Sequence, residues 1–261
     1  MTTGLMSQIK KYLASKAFPI VAAARAEALN QKAPQGFRPQ DALPGAKSVL
    51  IFAKPAPWPN YHEKATRNGI YSFYINTYHT YYRQANEVAC HIVGLLCEAG
   101  FPSLPIPSYT PLTFNGDHLC GLISLKHAAA EAGLGRIGKN TLLIHPELGN
   151  TLRFGGLLTT MEWPSEGTGD LSYLCPKDCH ICEKACPVGA LNNGTIDHLK
   201  CMAHCIEHTM RPPLWVMKLM RRFCTPRFID RYALSFAENY GVHCCECQLK
   251  CPHFGGKPKS L

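Results

Sequence analysis

The chain has 261 residues, of which 46% are hydrophobic and 17% are charged, and its formal net charge is +9 at pH 7. This composition excludes a disordered chain, and the length suits one large domain or one domain with a smaller appendage. No apolar run approaches the roughly 20 residues of a membrane-spanning helix, and the basic excess does not by itself establish nucleic-acid binding.

The N-terminal residues predict a helix over 5–17. Three lysines precede the apolar run 18–24, an order that faintly resembles a secretory leader. The run is short, it contains Pro19, and Arg25 follows it directly. We therefore favour an amphipathic starting helix over a leader.

The next segments alternate between connectors and regular elements. Residues 34–46 are rich in Pro and Gly and predict a connector, and the apolar run 48–53 predicts a short buried strand. Apolar spacing predicts a long helix over 76–98, which Gly100 ends. Further along the chain we predict an extended segment at 103–113, a helix at 124–132, and strands at 141–144 and 153–160.

The composition changes near residue 172, which predicts a boundary between a domain over 1–171 and a domain over 172–261. The second part is rich in cysteine and loops and short in regular elements. The chain holds 14 cysteines, and their spacing is that of metal ligands rather than of disulfides. This usage predicts a reducing, cytoplasmic compartment. Three cysteines lie outside the second part, and we expect each of them to be a small buried hydrophobic residue: Cys90, Cys97 and Cys120.

Two cysteine motifs in the second part end in the same pattern, Cys-x2-Cys-x3-Cys-Pro. In two-cluster ferredoxins the cysteine before the proline ligates the other cluster. A [4Fe–4S] cube needs four thiolates, of which a tight loop can supply three. The cysteines of the first motif are Cys175, Cys179, Cys182 and Cys186, and those of the second are Cys244, Cys247 and Cys251.

Exchange of the last cysteine between the motifs predicts two ligand sets. The second of these needs one further thiolate, for which Cys201 is preferred and Cys205 is the alternative, while Cys224 and Cys245 are less favoured. Structural zinc is the competing interpretation, but it requires neither the Cys-Pro ending nor an exchanged ligand. The first cysteine set is Cys175, Cys179, Cys182 and Cys251, and the second cysteine set is Cys186, Cys201, Cys244 and Cys247.

The glycine spacing of the loop 133–140 matches two nucleotide-binding patterns, but the loop does not meet the further requirements of either pattern. The dinucleotide pattern must follow a strand and open a helix, whereas this loop follows a helical run and leads into a strand. The phosphate-binding pattern requires Ser or Thr where this chain has Asn140. Three glycines predict backbone amides that closely approach a bulky or anionic ligand, and a helix end followed by a turn is the alternative.

Residues 126–160, followed by CHICEKACPVGAL and CCECQLKCP, resemble the epoxyqueuosine reductase and reductive dehalogenase superfamily, and the resemblance extends over about 38–255. It implies an α+β fold in which a nitroreductase-like α/β cobalamin-type domain precedes a ferredoxin-like domain with two [4Fe–4S] clusters. It also implies electron transfer through the clusters to a base-off cobalamin. The residues that would line the corrinoid are Gly133, Gly135, Gly138, Lys139, Asn140, Thr141, Thr159 and Thr160.

The chain departs from the superfamily pattern at the proton donor. Epoxyqueuosine reductases carry an aspartate before the glycine loop, and this chain reads Leu-Cys-Gly-Leu over 119–122. Asp117, His118 and Tyr109 are the nearby candidates for delivering a proton. The chain also ends without the helical repeats of full-length members, so it most resembles a short branch of the superfamily.

The favoured function is that of an iron–sulfur oxidoreductase that acts on a small-molecule or nucleoside substrate and receives electrons from a ferredoxin or flavodoxin type donor. One alternative is a non-catalytic electron-transfer or corrinoid-reactivating protein. Another is an RNA-modifying or tRNA-binding protein that uses the basic segment 214–232, although a solvated helix face is favoured for that segment. Of the two classes of binding partner, we favour a small substrate over tRNA.

Overall fold

The computed structural model describes residues 2–56, 67–109, 113–116, 118–165, 171–207, 214–224, 241–242 and 244–255. The helices within these ranges are α1 (Thr2–Ser15), α2 (Ala26–Lys32), α3 (Pro39–Ala42), α4 (Arg67–Glu98), α5 (Leu125–Glu131), α6 (Ile181–Ala185), α7 (His198–Cys205), α8 (Leu214–Phe223) and α9 (Glu246–Leu249). The strands are β1 (Ile20–Arg25), β2 (Ser48–Pro55), β3 (Ser103–Ile106), β4 (Thr113–Asn115), β5 (His118–Cys120), β6 (Arg136–Ile137), β7 (Leu143–Ile144), β8 (Leu152–Thr159), β9 (Leu191–Asn192), β10 (Thr195–Ile196), β11 (Ile206–Glu207) and β12 (Gly241–Val242).

A four-stranded sheet in the order β1-β2-β8-β3 forms the centre of the fold, and each neighbouring pair is antiparallel. Strands β2 and β8 lie in the middle of the sheet and are buried almost throughout. Because both faces of these strands are covered, apolar residues occur at successive positions rather than at every second one. This explains why the sequence predicted strands at 48–53 and 153–160.

The two faces of the sheet bury separate hydrophobic clusters. Val49 and Ile51 point to the cluster that includes α2 and α5. Leu50 and Phe52 point to the opposite cluster, which α1 and α4 complete. Side chains alternate between the faces of a strand, so one run of residues contributes to both clusters. The arrangement is three layers, with helices on both sides of the sheet.

Most predicted elements are confirmed, with different bounds. The first helix is α1, and the long helix begins at Arg67 rather than at 76. The extended segment 103–113 contains β3 and the first residue of β4, and residues 110–112 lie outside the described ranges. The apolar run 18–24 contains most of β1, which the sequence did not reveal as a strand, because its pairing partner β2 lies more than 20 residues away.

The region after residue 171 has short elements, none longer than the ten residues of α8 among those described. Helix α6 packs against α9, and α7 packs against α8. The boundary near residue 172 stays a prediction, although the central sheet lies entirely before it. Among the described residues, no helix combines the length and the apolar character needed to cross a membrane.

Candidate metal centre

The packing of α6 against α9 brings the two cysteine motifs together. Cys182 lies in α6 and Cys247 in α9, while the remaining motif cysteines lie in the turns around these helices. Short helices flanked by turns allow several thiols to face one centre. A long helix or a strand would instead distribute the thiols along its axis. The folding of each motif is therefore local, and the pairing of the two motifs is tertiary.

The first cysteine set surrounds one cavity. The volume of this cavity is about 430 Å³, and all four cysteines of the set line it. Lys139 and Asn140 of the glycine loop form part of the same wall. The other lining residues are Ile144, Pro146, Tyr173, Leu174, Pro176, Pro252 and His253.

The thiols of the first cysteine set interact electrostatically. Burial raises the pKa of Cys251 to about 11, and nearby Cys182, Cys175 and Cys179 add to the rise. Burial also raises the pKa of Cys182, with Cys175 and Cys179 contributing again. Thiolates at these positions would repel one another in a poorly solvated site, and a bound cationic centre would compensate that repulsion.

The second cysteine set shows the same mutual influence. Burial raises the pKa of Cys247 to about 12, and Cys201, Cys244 and Cys186 contribute to the rise. Burial likewise raises the pKa of Cys244, on which Cys201 and Cys186 also act. Cys201 and Cys186 therefore act on the same two thiols, those of Cys244 and Cys247.

Cys205 lies beside Cys201, and the two Sγ atoms are 3.8 Å apart. The hydrogen bond between them raises the pKa of Cys205 and lowers that of Cys201. Cys244 also raises the pKa of Cys205, so both cysteines of α7 interact with a thiol of the second cysteine set. The choice of Cys201 over Cys205 stays a prediction, which the broader set of thiol contacts of Cys201 favours.

The other cysteines take different positions. Cys90 and Cys97 are exposed on α4, so the prediction that they are buried is wrong. The buried face of α4 carries residues such as Val88, Ile92 and Leu96, and the helical repeat places both cysteines on the opposite face. Three further cysteines are partly or fully buried: Cys120, Cys224 and Cys245. Within the described ranges, no three His, Cys, Asp or Glu residues form a group that could hold a single metal ion.

The glycines of the loop pack against the chain itself. Gly133 follows α5 with φ of 81°, a left-handed conformation that suits the end of a helix. A Cβ atom on Gly135 would lie 2.3 Å from the carbonyl oxygen of Ile144, and one on Gly138 would lie 2.7 Å from Ile144 Cδ1. A left-handed helix end at Gly133 and close packing on Ile144 at Gly135 and Gly138 favour glycine at these positions. The approach of the loop's backbone amides to a ligand stays a prediction.

Lys139 and Asn140 connect the loop to both cysteine motifs. The backbone N–H of Lys139 donates to Cys175 Sγ at 3.4 Å, and its Nζ donates to the carbonyl oxygens of Lys177 and, at 2.8 Å, Cys179. The side-chain amide of Asn140 is buried and donates to the carbonyl oxygen of Cys247 at 3.3 Å. These two predicted site residues therefore contact the cysteine region directly.

A second polar connection between these regions was not predicted. Asn150 Nδ2 donates to the carbonyl oxygen of Gln248 at 3.2 Å, and Gln248 Nε2 donates to the carbonyl oxygen of Asn150 at 2.8 Å. Both side chains are buried. Their separation of 98 positions explains why no local pattern indicated the pair.

The three predicted threonines lie in different surroundings. Thr141 is left-handed, with φ of 60°, and its carbonyl oxygen accepts a hydrogen bond from Lys126 Nζ at 2.7 Å. Thr159 is fully buried and bonded to Ser103 Oγ at 2.9 Å. It ends the eight-residue strand β8, about 25 Å from the end near Asn150, and Thr160 follows it. The lining of a corrinoid by these three threonines, which the resemblance implies, stays a prediction.

The two predicted proton donors that the structure describes, His118 and Tyr109, are not among the residues that line the cavity. Asp117 lies outside the described residues. His118 is exposed, and its ring lies 5.9 Å from that of His198. Tyr109 stacks on Tyr82 with ring centroids 5.1 Å apart. The assignment of a proton donor stays a prediction.

Comparison with known proteins supplies named relatives, although no protein-family model matches the chain. An epoxyqueuosine reductase of Listeria monocytogenes is 33% identical over 136 residues, which are 52% of this chain and 31% of that protein. An epoxyqueuosine reductase of Staphylococcus aureus is 29% identical over 224 residues, which are 82% of this chain and 50% of that protein. The matches therefore span half or less of the length of these relatives.

Solved structures of related proteins share the fold. An epoxyqueuosine reductase from Bacillus subtilis, with its catalytic loop swung out of the active site, has a TM-score of 0.59 at 18% identity, over 99% of this chain and 68% of that one. An epoxyqueuosine reductase with an epoxyqueuosine-modified tRNA stem loop has a TM-score of 0.53 at 18% identity, over 78% and 57%. A catabolic reductive dehalogenase has a TM-score of 0.52 at 16% identity, over 75% and 28%. The predicted resemblance to this superfamily is confirmed.

Proposed function

We propose that the chain is an iron–sulfur reductase similar to epoxyqueuosine reductases, with one [4Fe–4S] cluster in the first cysteine set and another in the second. The observation that carries this proposal is the single cavity lined by Cys251 together with three cysteines of the first motif. Exchange of this cysteine between motifs is the arrangement that the Cys-Pro ending predicts for a two-cluster protein.

The donor set fits iron–sulfur clusters. Each set offers four thiols, which are the usual ligands of such clusters, and the thiols within a set act on one another's pKa. When bound, the clusters would supply one-electron transfer. The protein would hold the cluster of the first set at the cavity, beside the glycine loop, and would hold the cluster of the second set with thiols from α7, from α9 and from the turns around α6 and α9.

A bound corrinoid is a separate proposal that rests on the resemblance. Of the eight residues that the resemblance implies, Lys139 and Asn140 line the described cavity, which supports a ligand beside the glycine loop. The lining of a corrinoid by the other six residues stays a prediction, and we derive no reaction step through cobalamin. A titration with cob(II)alamin, followed by its absorption and EPR spectra, tests the proposal directly.

The substrate class follows from the relatives. Their names support a reductase that acts on an epoxyqueuosine-type nucleoside, and a solved relative contains a modified tRNA stem loop. Helix α8 exposes Lys218 and Arg222, which could contact an RNA backbone. Binding to RNA is thus the second candidate function, and a ferredoxin or flavodoxin type donor would supply the electrons in either case.

Anaerobic reconstitution tests the proposed function. We expect about eight irons per chain for two cubes. The variant Cys182→Ala should lose close to half of the iron, whereas Cys90→Ala, which removes an exposed thiol of α4, should retain all of it. A protein that binds zinc instead, or that remains colourless, contradicts the proposal.

Turnover separates a reductase from an electron carrier. With a chemical reductant, a reductase should reduce an epoxyqueuosine nucleoside or stem loop without any other protein. A carrier should reduce a partner corrinoid protein and leave the nucleoside unchanged. Binding of a tRNA stem loop that weakens steeply with salt would favour the RNA substrate over the free nucleoside.

A further inference from the structure

We propose that Lys139 is a positioning residue that raises the reduction potential of the cluster in the first cysteine set. This inference rests on the proposed function, since it requires a cluster at that position. It assigns to the glycine loop a role toward the cysteine region, in addition to any role toward a corrinoid.

The contacts of Lys139 point to that cluster site from two directions. Its backbone N–H donates to Cys175 Sγ at 3.4 Å, and Lys139 itself lines the cavity. Its ammonium group donates to the carbonyl oxygens of Lys177 and Cys179, which lie in the turn that carries the first two thiols. One residue therefore supplies both an N–H···S hydrogen bond to Cys175 and a positive charge at the turn that carries Cys175 and Cys179.

The position of this charge is determined by the surrounding structure. The loop is closed by hydrogen bonds from Gly138 N to the Leu142 carbonyl oxygen at 2.9 Å and from Thr141 N to the Gly138 carbonyl oxygen at 2.8 Å. Asn140 Oδ1 also accepts a hydrogen bond from Leu142 N at 3.2 Å. The loop thus fixes the backbone of Lys139, and the two hydrogen bonds of its Nζ hold the ammonium group at the turn of the first motif.

The sign of the effect follows from charge. Reduction adds one electron and no proton to a [4Fe–4S]²⁺ cluster, so the reduced cluster is more negative by one charge. A nearby cation and an N–H donor both stabilise the more negative state, and they do so more strongly in a partly buried site than in water. Lys139 should therefore favour the reduced cluster.

One carboxylate acts in the opposite direction. Glu183 raises the pKa of Cys182, which shows that it lies near the same thiols. Its two oxygens are already engaged, by His180 Nδ1 at 2.5 Å and by the backbone N–H of Asn193. These partners offset part of its charge. The ammonium group of Lys139 also acts on Glu183 and contributes to lowering its pKa, in addition to its hydrogen bonds to the two carbonyl oxygens.

The test is a potentiometric titration with dithionite of the reconstituted protein, monitored by EPR. Variants of the first set, such as Cys182→Ala, identify which of the two one-electron transitions belongs to this cluster. We expect Lys139→Met to shift that transition about tenfold toward the oxidised state, which is about 59 mV for one electron. The other midpoint should move much less.

Two variants control for simple charge loss and for packing. Lys177→Met removes an exposed lysine from the same turn, where water screens its charge, and should leave the midpoint nearly unchanged. Lys139→Arg keeps the charge and should recover most of the wild-type midpoint. An equal midpoint in Lys139→Met and Lys177→Met, with full iron content in both, overturns the inference.

Failure of the inference is distinguishable from failure of the proposed function. If the wild-type protein binds no iron, the proposed function fails. If only Lys139→Met binds no iron, Lys139→Gln replaces it, because the glutamine amide can still donate to the two carbonyl oxygens. Loss of iron from both variants would mean that Lys139 is needed only to build the site, and this result also contradicts a role in setting the potential.

Discussion

The central sheet and the cysteine region are held together by different means. Strands β2 and β8 bury nearly every side chain between two hydrophobic clusters. The cysteine region has short elements, and its buried residues include thiols that repel one another when ionised. The first region is stable through apolar burial, whereas the second resembles the small domains that depend on a metal.

Metal removal should separate the two regions most clearly. We expect chelation of iron from the reconstituted protein to abolish most amide protection in 171–207 and 244–255, because the thiols lose the centre that holds them. Protection in β2 and β8 should persist. Hydrogen exchange measured by mass spectrometry checks this difference. Equal loss in both regions would show that the sheet also depends on the metal.

A core substitution should act on the sheet with the next largest effect. Phe52 is fully buried and meets Phe18 edge to face, with ring centroids 5.0 Å apart. We expect Phe52→Ala to lower the free energy of unfolding by about 3–5 kcal/mol, as measured by urea denaturation. Phe223→Ala is the matched control, since 73% of that side chain is exposed, and it should change stability by no more than about 0.5 kcal/mol.

The glycine loop, which links the two regions, should tolerate alanine unequally. At Gly135 the new Cβ atom meets the backbone of Ile144, so we expect a cost of about 1–3 kcal/mol. At Gly138 it meets mainly the end of the Ile144 side chain, which can move, so the cost should be smaller. Thermal denaturation of Gly135→Ala and Gly138→Ala measures the difference, and the opposite order would contradict this packing.

The reciprocal pair Asn150 and Gln248 should couple the regions by a smaller amount. In a double-mutant cycle with Asn150→Ala and Gln248→Ala, we expect a coupling energy of about 1 kcal/mol from denaturation of the iron-loaded protein. The side-chain amides donate to each other's backbone, so each substitution removes one of the two bonds. Strict additivity would mean that the two bonds act independently and do not join the regions cooperatively.

The smallest expected effect is a gain in stability from a substitution at an exposed position of α4. Gly94 lies within α4, and a Cβ atom there would have no neighbour within 4 Å. Gly94→Ala should therefore stabilise the protein by about 0.5–1 kcal/mol through helix propensity. A higher midpoint of thermal unfolding with unchanged iron content would check it, and a loss of stability would reveal a contact that the packing of α4 does not show.

Local patterns were sufficient for several elements. The apolar run from Ser48 and the apolar spacing of α4 predicted a buried strand and a long helix. Burial on two faces leaves a continuous apolar run, and burial on one face of a helix leaves a helical period. Strand β1 was missed, since a short run of apolar residues after a helix does not reveal whether a partner strand is available. Pairing with β2 decides its conformation.

The sequence by itself determined the cysteine spacing and the expected exchange of Cys251, because the turns of each motif form from neighbouring residues. Only the tertiary structure decided that Gly135 packs on Ile144, that Thr159 is buried at the far end of β8, and that Asn150 meets Gln248. These contacts join residues distant along the chain or depend on the direction of a side chain. Spacing encodes local geometry, whereas long-range contacts depend on how complete elements pack.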